Sequence, residues 1–262
     1  MKNYVYMTSL ASDEYMPGVY ALYVALKHVK SRHPLVVLCS EGISKKTKCY
    51  LDALNIEHVD LDEKISVSSL INKENGYQHW TRTFDKLIVW KQVQYDKIVL
   101  LDSDMLICQN IDELFEAPNT SAVIADIYDE PNCTELNSGL MVIEPSLSDY
   151  DGLLSLLHSG SIRKDNYGDQ DVIRAYFSSW SQEDEKHLPI GYNQFYNWVG
   201  RTRMSRGGVK ILHFVGNKKP WQFSVRAAFR RIKLYGGTRF LLKYLWYVKI
   251  KYKVKCLEFQ YS

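Results

Sequence analysis

The segment Tyr95-Asp96-Lys97-Ile98-Val99-Leu100-Leu101-Asp102-Ser103-Asp104 settles the fold class of this chain. Its apolar run is short, continuous and free of polar alternation, which predicts a strand buried on both faces. The run passes directly into carboxylates at i and i+2. A strand ending there presents both acids at its C-terminal edge, where open α/β sheets bind ligands. Acids so close repel each other unless a cation or strong donors lie between them. The spacing therefore points to a divalent metal bridging to phosphate oxygens. Asp and Ser are also ordinary turn residues, so a bare D-x-D reads equally as a polar turn. The flanking sequence has to decide.

Upstream, strand and helix signals alternate. Residues 3–7 are strand-like, and 15–29 carry Val19, Leu22, Tyr23 and Leu26 at helical spacing behind Pro17. Leu35-Val36-Val37-Leu38-Cys39 predicts a second strand, 44–54 a helix and 56–61 a third strand. This β-α-β-α-β order predicts a parallel sheet flanked by helices. A long polar connection, 62–82, then leads to an expected helix over 83–94 with Leu87, Val89, Trp90 and Val93 on its apolar face.

Three downstream segments add chemistry. Leu136-Asn137-Ser138-Gly139-Leu140 places a small polar triplet at the head of an apolar strand, with an amide for hydroxyls and a glycine for close approach of a ligand. Tyr167-Gly168-Asp169-Gln170-Asp171 places two acids and an amide before a helix, where one acid is expected to serve as its cap. Ile211-Leu212-His213-Phe214-Val215-Gly216-Asn217-Lys218-Lys219-Pro220-Trp221 offers an imidazole, a glycine and then cations. That sequence suits a metal–diphosphate site, although a lone His is more often structural. Haloacid-dehalogenase-like phosphatases also begin on an apolar strand and D-x-D. They place it near the start of the fold and give a His213-type segment no role.

Taken in order, Thr83-Phe84-Asp85-Lys86-Leu87, the 95–104 segment, Asn137-Ser138-Gly139, Gly168-Asp169-Gln170 and His213 to Trp221 resemble the glycogenin-like glycosyltransferases of family 8. The resemblance covers about residues 3–221. It implies a GT-A fold, meaning one Rossmann-like α/β nucleotide-binding domain with a mixed central sheet over 1–221. It also implies a UDP-sugar donor, Mn²⁺ (or Mg²⁺), and hexose transfer with retention. By the same resemblance Asp102, Asp104 and His213 match metal ligands. Thr8, Tyr15 and Ser103 match nucleotide contacts, and Gly216 and Lys219 match diphosphate contacts. Asp126, Asn137 and Gly139, with Lys86, match positions around the donor sugar, and Asp169 and Gln170 match the pair beside the anomeric centre. Glycogenin glucosylates its own tyrosine; Tyr192 and Tyr196 lie in the corresponding region. A self-glycosylating primer and a non-catalytic sugar-nucleotide-binding scaffold are the alternatives to a transferase acting on a glycan or lipid-linked acceptor.

Of the 262 residues, 33 are Lys or Arg and 30 are Asp or Glu. Residues 218–262 hold twelve of the basic residues and one acid (Glu258), a net +11, which leaves the body at −8. In the tail, 222–262, Phe240, Leu241, Tyr244, Leu245, Val248 and Tyr252 recur at helical spacing among lysines. A basic amphipathic tail of this kind is expected to meet an anionic membrane surface rather than nucleic acid. No run reaches the ~18 apolar residues of a spanning helix. The five cysteines are odd in number and lack C-x-x-C, which points to free thiols in a reducing compartment and away from a disulfide framework or zinc site. A cytoplasmic, peripherally membrane-associated protein is the expectation.

Overall fold

The strand that ends in the two acids, β4 (Lys97–Leu101), lies beside β1 (Tyr4–Leu10) in the middle of a seven-stranded sheet. The computed structural model describes residues 2–61, 65, 78–125, 133–162, 168–196, 208–216, 218–223 and 249. On the far side of β1 lie β2 (Leu35–Cys39) and β3 (Glu57–Asp60), and these four strands are parallel. The chain thus leaves β1 in one direction for β2 and β3, then returns to β4 on the other side. That reversal opens a crevice at the C-terminal ends of β1 and β4. Helix α1 (Met16–His28) connects β1 to β2, and α2 (Lys45–Ala53), capped by the Ser44 hydroxyl, connects β2 to β3.

Three further strands, β6 (Ala122–Ile124), β7 (Leu136–Ile143) and β8 (His187–Leu188), complete the sheet; β5 (Met105–Ile107) comes between β4 and β6 in the chain, and α3 (Leu147–His158) and α4 (Asp169–Tyr176) come between β7 and β8. β7 runs antiparallel to both β4 and β6, so the sheet is mixed as expected. A second sheet of three strands joins β5 to β9 (Gln194–Phe195) and β10 (Ile211–His213). Alternate residues of the central strands serve two cores. Tyr6, Leu10, Val37, Val99 and Leu101 pack toward α1 and α2. Val5, Met7, Val36, Leu38, Ile98 and Leu100 pack on the opposite face with Leu153 of α3 and Val172 of α4. Burial on both faces is why these strands read as unbroken apolar runs.

Two expectations need correction. The helix expected over 83–94 is a succession of 3-10 turns over Gln78–Lys91. Phe84, Leu87, Ile88, Val89 and Trp90 are buried there, but Val93 is 52% exposed. The chain turns after Lys91, where the Val93 amide donates to the Lys91 carbonyl and the Tyr95 amide to that of Gln92, and Val93 swings outward. The first strand extends to Leu10 rather than ending at residue 7, because its ladder to β2 continues through Leu10 opposite Cys39.

A buried polar knot closes one side of the sheet. Asp112 accepts from Tyr6 Oη (2.8 Å), Ser31 Oγ (2.7 Å) and the Arg32 amide (3.0 Å). Burial opposes its charge, but hydrogen bonds from Ser31, Arg32, Tyr6 and Asn110 outweigh it and hold the carboxyl below its usual value. The tail beyond residue 223, apart from Lys249, lies outside the described residues, as do Asp126 and most of the 62–82 connection.

Candidate active site

Local pairing carries each functional side chain to the β1–β4 crevice. The Asp102 amide donates to the Gly139 carbonyl (2.8 Å), extending the β4–β7 ladder one residue past Leu101 and anchoring the first acid. The chain then turns, the Met105 amide donating to the Asp102 carbonyl, and enters β5. β10 pairs antiparallel to β5 with His213 opposite Met105, and the Phe214 amide donates to the Asp104 carbonyl (3.1 Å). Pairing over 100 residues of sequence thus delivers the imidazole to the acids.

The three expected ligands converge. His213 Nε2 lies 3.1 Å from Asp104 Oδ1 and 3.7 Å from Asp102 Oδ2. The outer carboxylate oxygens are each held by a lysine: Asp102 Oδ1 by Lys86 Nζ at 2.5 Å and Asp104 Oδ2 by Lys219 Nζ at 2.6 Å. One oxygen of each acid and one imidazole nitrogen therefore face a common point. Hard oxygen donors plus an imidazole nitrogen form a donor set suited to a divalent cation such as Mg²⁺ or Mn²⁺. The residues present fit such an ion.

Electrostatics separate the two acids. Burial raises the Asp102 carboxyl, helped by Asp104 and opposed by Lys86. Asp104 is buried too, but His213 and Lys219 together prevail and hold it well below the usual carboxylate range. Burial disfavours the Lys86 cation, yet Asp102 and Asp169 outweigh it and keep the ammonium charged.

Lys86 links the metal corner to the expected reaction centre. Besides Asp102 it approaches Asp169 Oδ2 (3.5 Å) and donates to the Ser138 carbonyl (3.0 Å). Ser138 in turn donates from Oγ to Asp169 Oδ2 (3.0 Å) and from its amide to Gln170 Oε1 (3.0 Å). The helix cap is supplied by Asp171, whose Oδ2 accepts from the Gly168 amide (3.0 Å), so Asp169 turns to the site instead. Gly216 has φ +101°, a left-handed backbone that favours glycine, between the imidazole and Lys219. Tyr15 packs edge-on to Trp221 with centroids 5.8 Å apart. Burial raises its phenol while Lys219 lowers it. Ser103 is buried between the two acids in sequence. Thr8 lies fully buried inside β1, and among the described residues its hydroxyl has no hydrogen-bond partner.

Gly139 has a different physical reason from the expected one. A Cβ there would lie 2.7 Å from His213 Cε1, 2.8 Å from Asn137 Oδ1 and 3.0 Å from Asp102 Oδ2. The missing side chain makes room for His213, Asn137 and Asp102. Sequence reasoning also missed Asn193. It is buried just before β9, accepts from His213 Nδ1 (2.8 Å) and donates to Asn137 Oδ1 (2.8 Å). Its segment carries no motif, so only the pairing of β9 with β10 reveals it.

A second donor group, Cys39, His58 and Asp60, lies on the adjacent strands β2 and β3. Asp52 pairs with His58 Nε2 (3.2 Å) and Lys48 with Asp60 (2.7 Å). Burial pushes the Cys39 thiol up to about 12. These pairs tie α2 to the edge strand, and the thiol stays protonated.

Comparison with known proteins agrees with this geometry. The family model "Glycosyl transferase family 8" matches residues 7–224. Glycogenin-1 of Mus musculus is 32% identical over 235 residues, 86% of this chain and 67% of that protein. A putative UDP-glucuronate:xylan alpha-glucuronosyltransferase 5 of Arabidopsis thaliana is 30% identical over 83% of this chain and 36% of its own length. The galactosyltransferase LgtC, solved with donor and acceptor sugar analogs, superposes with a TM-score of 0.61 over 89% of this chain and 96% of its own, at 16% identity. GlyE of Streptococcus pneumoniae gives 0.60 over 93% and 63%, at 18% identity. A metal-ready acid–acid–imidazole corner at the switch point of a GT-A sheet, with the family model spanning most of the sequence, places the chain in glycosyl transferase family 8, as a glycosyltransferase.

Proposed function

We propose that the protein moves a hexose, glucose or galactose, from a UDP-sugar to a glycan or lipid-linked acceptor with retention, using Mn²⁺ or Mg²⁺ held by Asp102, Asp104 and His213. The observation carrying this reading is the set of inward-facing ligand atoms whose outer oxygens are held by Lys86 and Lys219. A bound divalent ion supplies Lewis-acid stabilisation of charge on the departing diphosphate. Lys219, next to Gly216, adds a fixed positive charge on the same side. Lys86 and Ser138 hold Asp169 Oδ2 at a set position, and the Ser138 amide fixes Gln170 by its carbonyl oxygen. These two side chains then stabilise the oxocarbenium-like centre that develops as the sugar–phosphate bond breaks. Asn137 presents its amide nitrogen to donor hydroxyls, and Tyr15 and Ser103 line the uridine side; Thr8, fully buried in β1, joins them through the family resemblance alone. Asp126 joins the donor-sugar contacts through the family resemblance alone.

Acceptor choice follows from the tyrosines. Tyr196 is buried with its ring stacked on Phe214, and the Tyr192 hydroxyl donates to Glu113 (2.7 Å). Tyr196 offers no open hydroxyl, and the partly exposed Tyr192 hydroxyl is engaged by Glu113; we read this as favouring an external acceptor over self-glycosylation. The basic tail, net +9 over 222–262, is read as a reversible anchor to anionic lipid, bringing the site to a membrane-linked glycan. Among the described residues no helix is long and apolar enough to cross a membrane.

The test is UDP release and product analysis with a panel of UDP-sugars, Mn²⁺ and a mixture of saccharide and lipid-linked acceptors. Sugar transfer from one donor, blocked by chelation, is expected. No release from any common donor refutes the enzymatic reading. Ending the chain after Ser224 should preserve transfer to a small soluble acceptor and abolish sedimentation with phosphatidylserine vesicles. Unchanged sedimentation refutes the anchor.

A further inference from the structure

The amide groups behind His213 form a chain whose polarity is fixed at one end. A backbone N–H only donates, so the Gly139 amide, 2.9 Å from the Asn137 side chain, must meet its oxygen. Asn137 Oδ1 also receives the neighbouring Asn193 side chain at 2.8 Å, and that partner must then be the Asn193 nitrogen. The remaining polar atom of Asn193 is its oxygen, and it faces His213 Nδ1 at 2.8 Å. An oxygen there demands a proton on Nδ1. Nε2, the nitrogen facing Asp102 and Asp104, is thereby the one free to bind an ion. Three orientations that are ordinarily ambiguous, two amide flips and an imidazole tautomer, follow from one main-chain donor.

The orientation of Asn137 has its own consequence. With Asn137 Oδ1 taken by two donors, its amide nitrogen is left for the donor-sugar contact that the functional reading assigns to it. Asn193 has 1% of its surface exposed and touches both partners, so it belongs to the metal corner and the sugar contact at once. We infer that Asn193 is the positioning residue of this site: it fixes the ligating tautomer of His213 and the sugar-facing orientation of Asn137 through one buried amide. This rests on the glycosyl-transfer reading above, and Asn193 acts through His213 and Asn137.

Two substitutions separate its roles. Asn193→Ala removes both bonds. Asn193→Asp retains an acceptor for His213 Nδ1 but places an oxygen against Asn137 Oδ1, which favours rotation of Asn137 and withdraws its nitrogen from the sugar. Mn²⁺ binding to the full-length protein is followed by electron paramagnetic resonance. Affinities for UDP, UDP-glucose and UDP-galactose are measured by calorimetry with Mn²⁺ saturating, and melting curves monitor folding. Asn193→Ala should weaken Mn²⁺ by about 10–100-fold, the usual effect of losing the outer partner of a ligating His. Asn193→Asp should keep Mn²⁺ affinity near wild type and lose about 10-fold of the preference for UDP-sugar over UDP. In the wild type without metal, ¹⁵N imidazole spectra should show Nδ1 of His213 carrying a proton, the signal being assigned by its loss in His213→Gln. That readout needs no altered Asn193 to fold. An Nε2–H tautomer, Asn193→Ala binding Mn²⁺ like wild type, or equal losses of Mn²⁺ in the two variants overturns the inference. A wild type that binds neither Mn²⁺ nor UDP overturns the functional reading, and this inference with it.

Discussion

Replacing Gly139 by alanine adds one methyl group, and its position is known. The new carbon would stand 2.7 Å from His213 Cε1, 2.8 Å from Asn137 Oδ1 and 3.0 Å from Asp102 Oδ2. Unstrained contacts between carbons need about 3.5–4.0 Å, so the imidazole must retreat by roughly 0.8 Å or more. None of the neighbours is free to do so. His213 is tied to Asn193, Asp102 to Lys86, and Asn137 to both Asn193 and the Gly139 amide. In a strand interior Gly→Ala ordinarily stabilises by about 0.5–1 kcal/mol through reduced chain entropy. Here overpacking of about 1–3 kcal/mol opposes and reverses that gain. The displaced atoms belong to two proposed metal ligands, and misplacement by about 1 Å costs on the order of 10²-fold in rate. Gly139→Ala is therefore expected to lower the melting temperature, weaken Mn²⁺ and depress UDP release together. Thermal melting, metal titration and a coupled UDP-release assay measure the three. A variant that melts above wild type and binds Mn²⁺ equally would refute the packing argument.

Three other perturbations probe separate parts of the molecule. Asp104→Asn removes an anionic ligand and the partner of Lys219, so turnover should fall by orders of magnitude while circular dichroism is preserved; near-full turnover at low Mn²⁺ would mean that the ion is held elsewhere. Asp169→Asn should reduce kcat and leave UDP affinity almost unchanged, the signature of an interaction made mainly in the transition state. A large loss of UDP binding would instead make Asp169 a nucleotide contact. Asp112, whose carboxyl is held below its usual value by burial-resisting hydrogen bonds, stabilises the fold above its unfolded pKa of about 3.9 and loses that contribution as pH falls through the lower folded value. Asp112→Asn should accordingly be less stable than wild type at pH 7 in urea denaturation, and the gap should narrow steadily below about pH 4; a gap independent of pH would refute the assignment.

Local patterning alone carried the central strands and the two flanking helices of the first half. Leu35–Cys39 and Lys97–Leu101 are strands with the expected limits because both faces are covered, and such runs need no partner to be recognised. The acids Asp102 and Asp104 were legible for the same reason: the end of a buried strand is a fixed place in an open α/β sheet. Burial of Val93 was misjudged because helical periodicity cannot see the turn after Lys91, which depends on where β4 must begin. Asp171 rather than Asp169 became the helix cap, a choice made by Ser138 and Lys86 drawing Asp169 inward from another strand and layer. Asn193 could be found only in three dimensions. An isolated asparagine has no period and no motif; it gains meaning when β9 pairs with β10 and sets its amide between an imidazole and a second amide. Sequence determines what depends on neighbours along the chain and on the sidedness of a buried strand. Tertiary structure decides what depends on a few ångströms between residues far apart in sequence, and the orientations of side-chain dipoles at this site are of that kind.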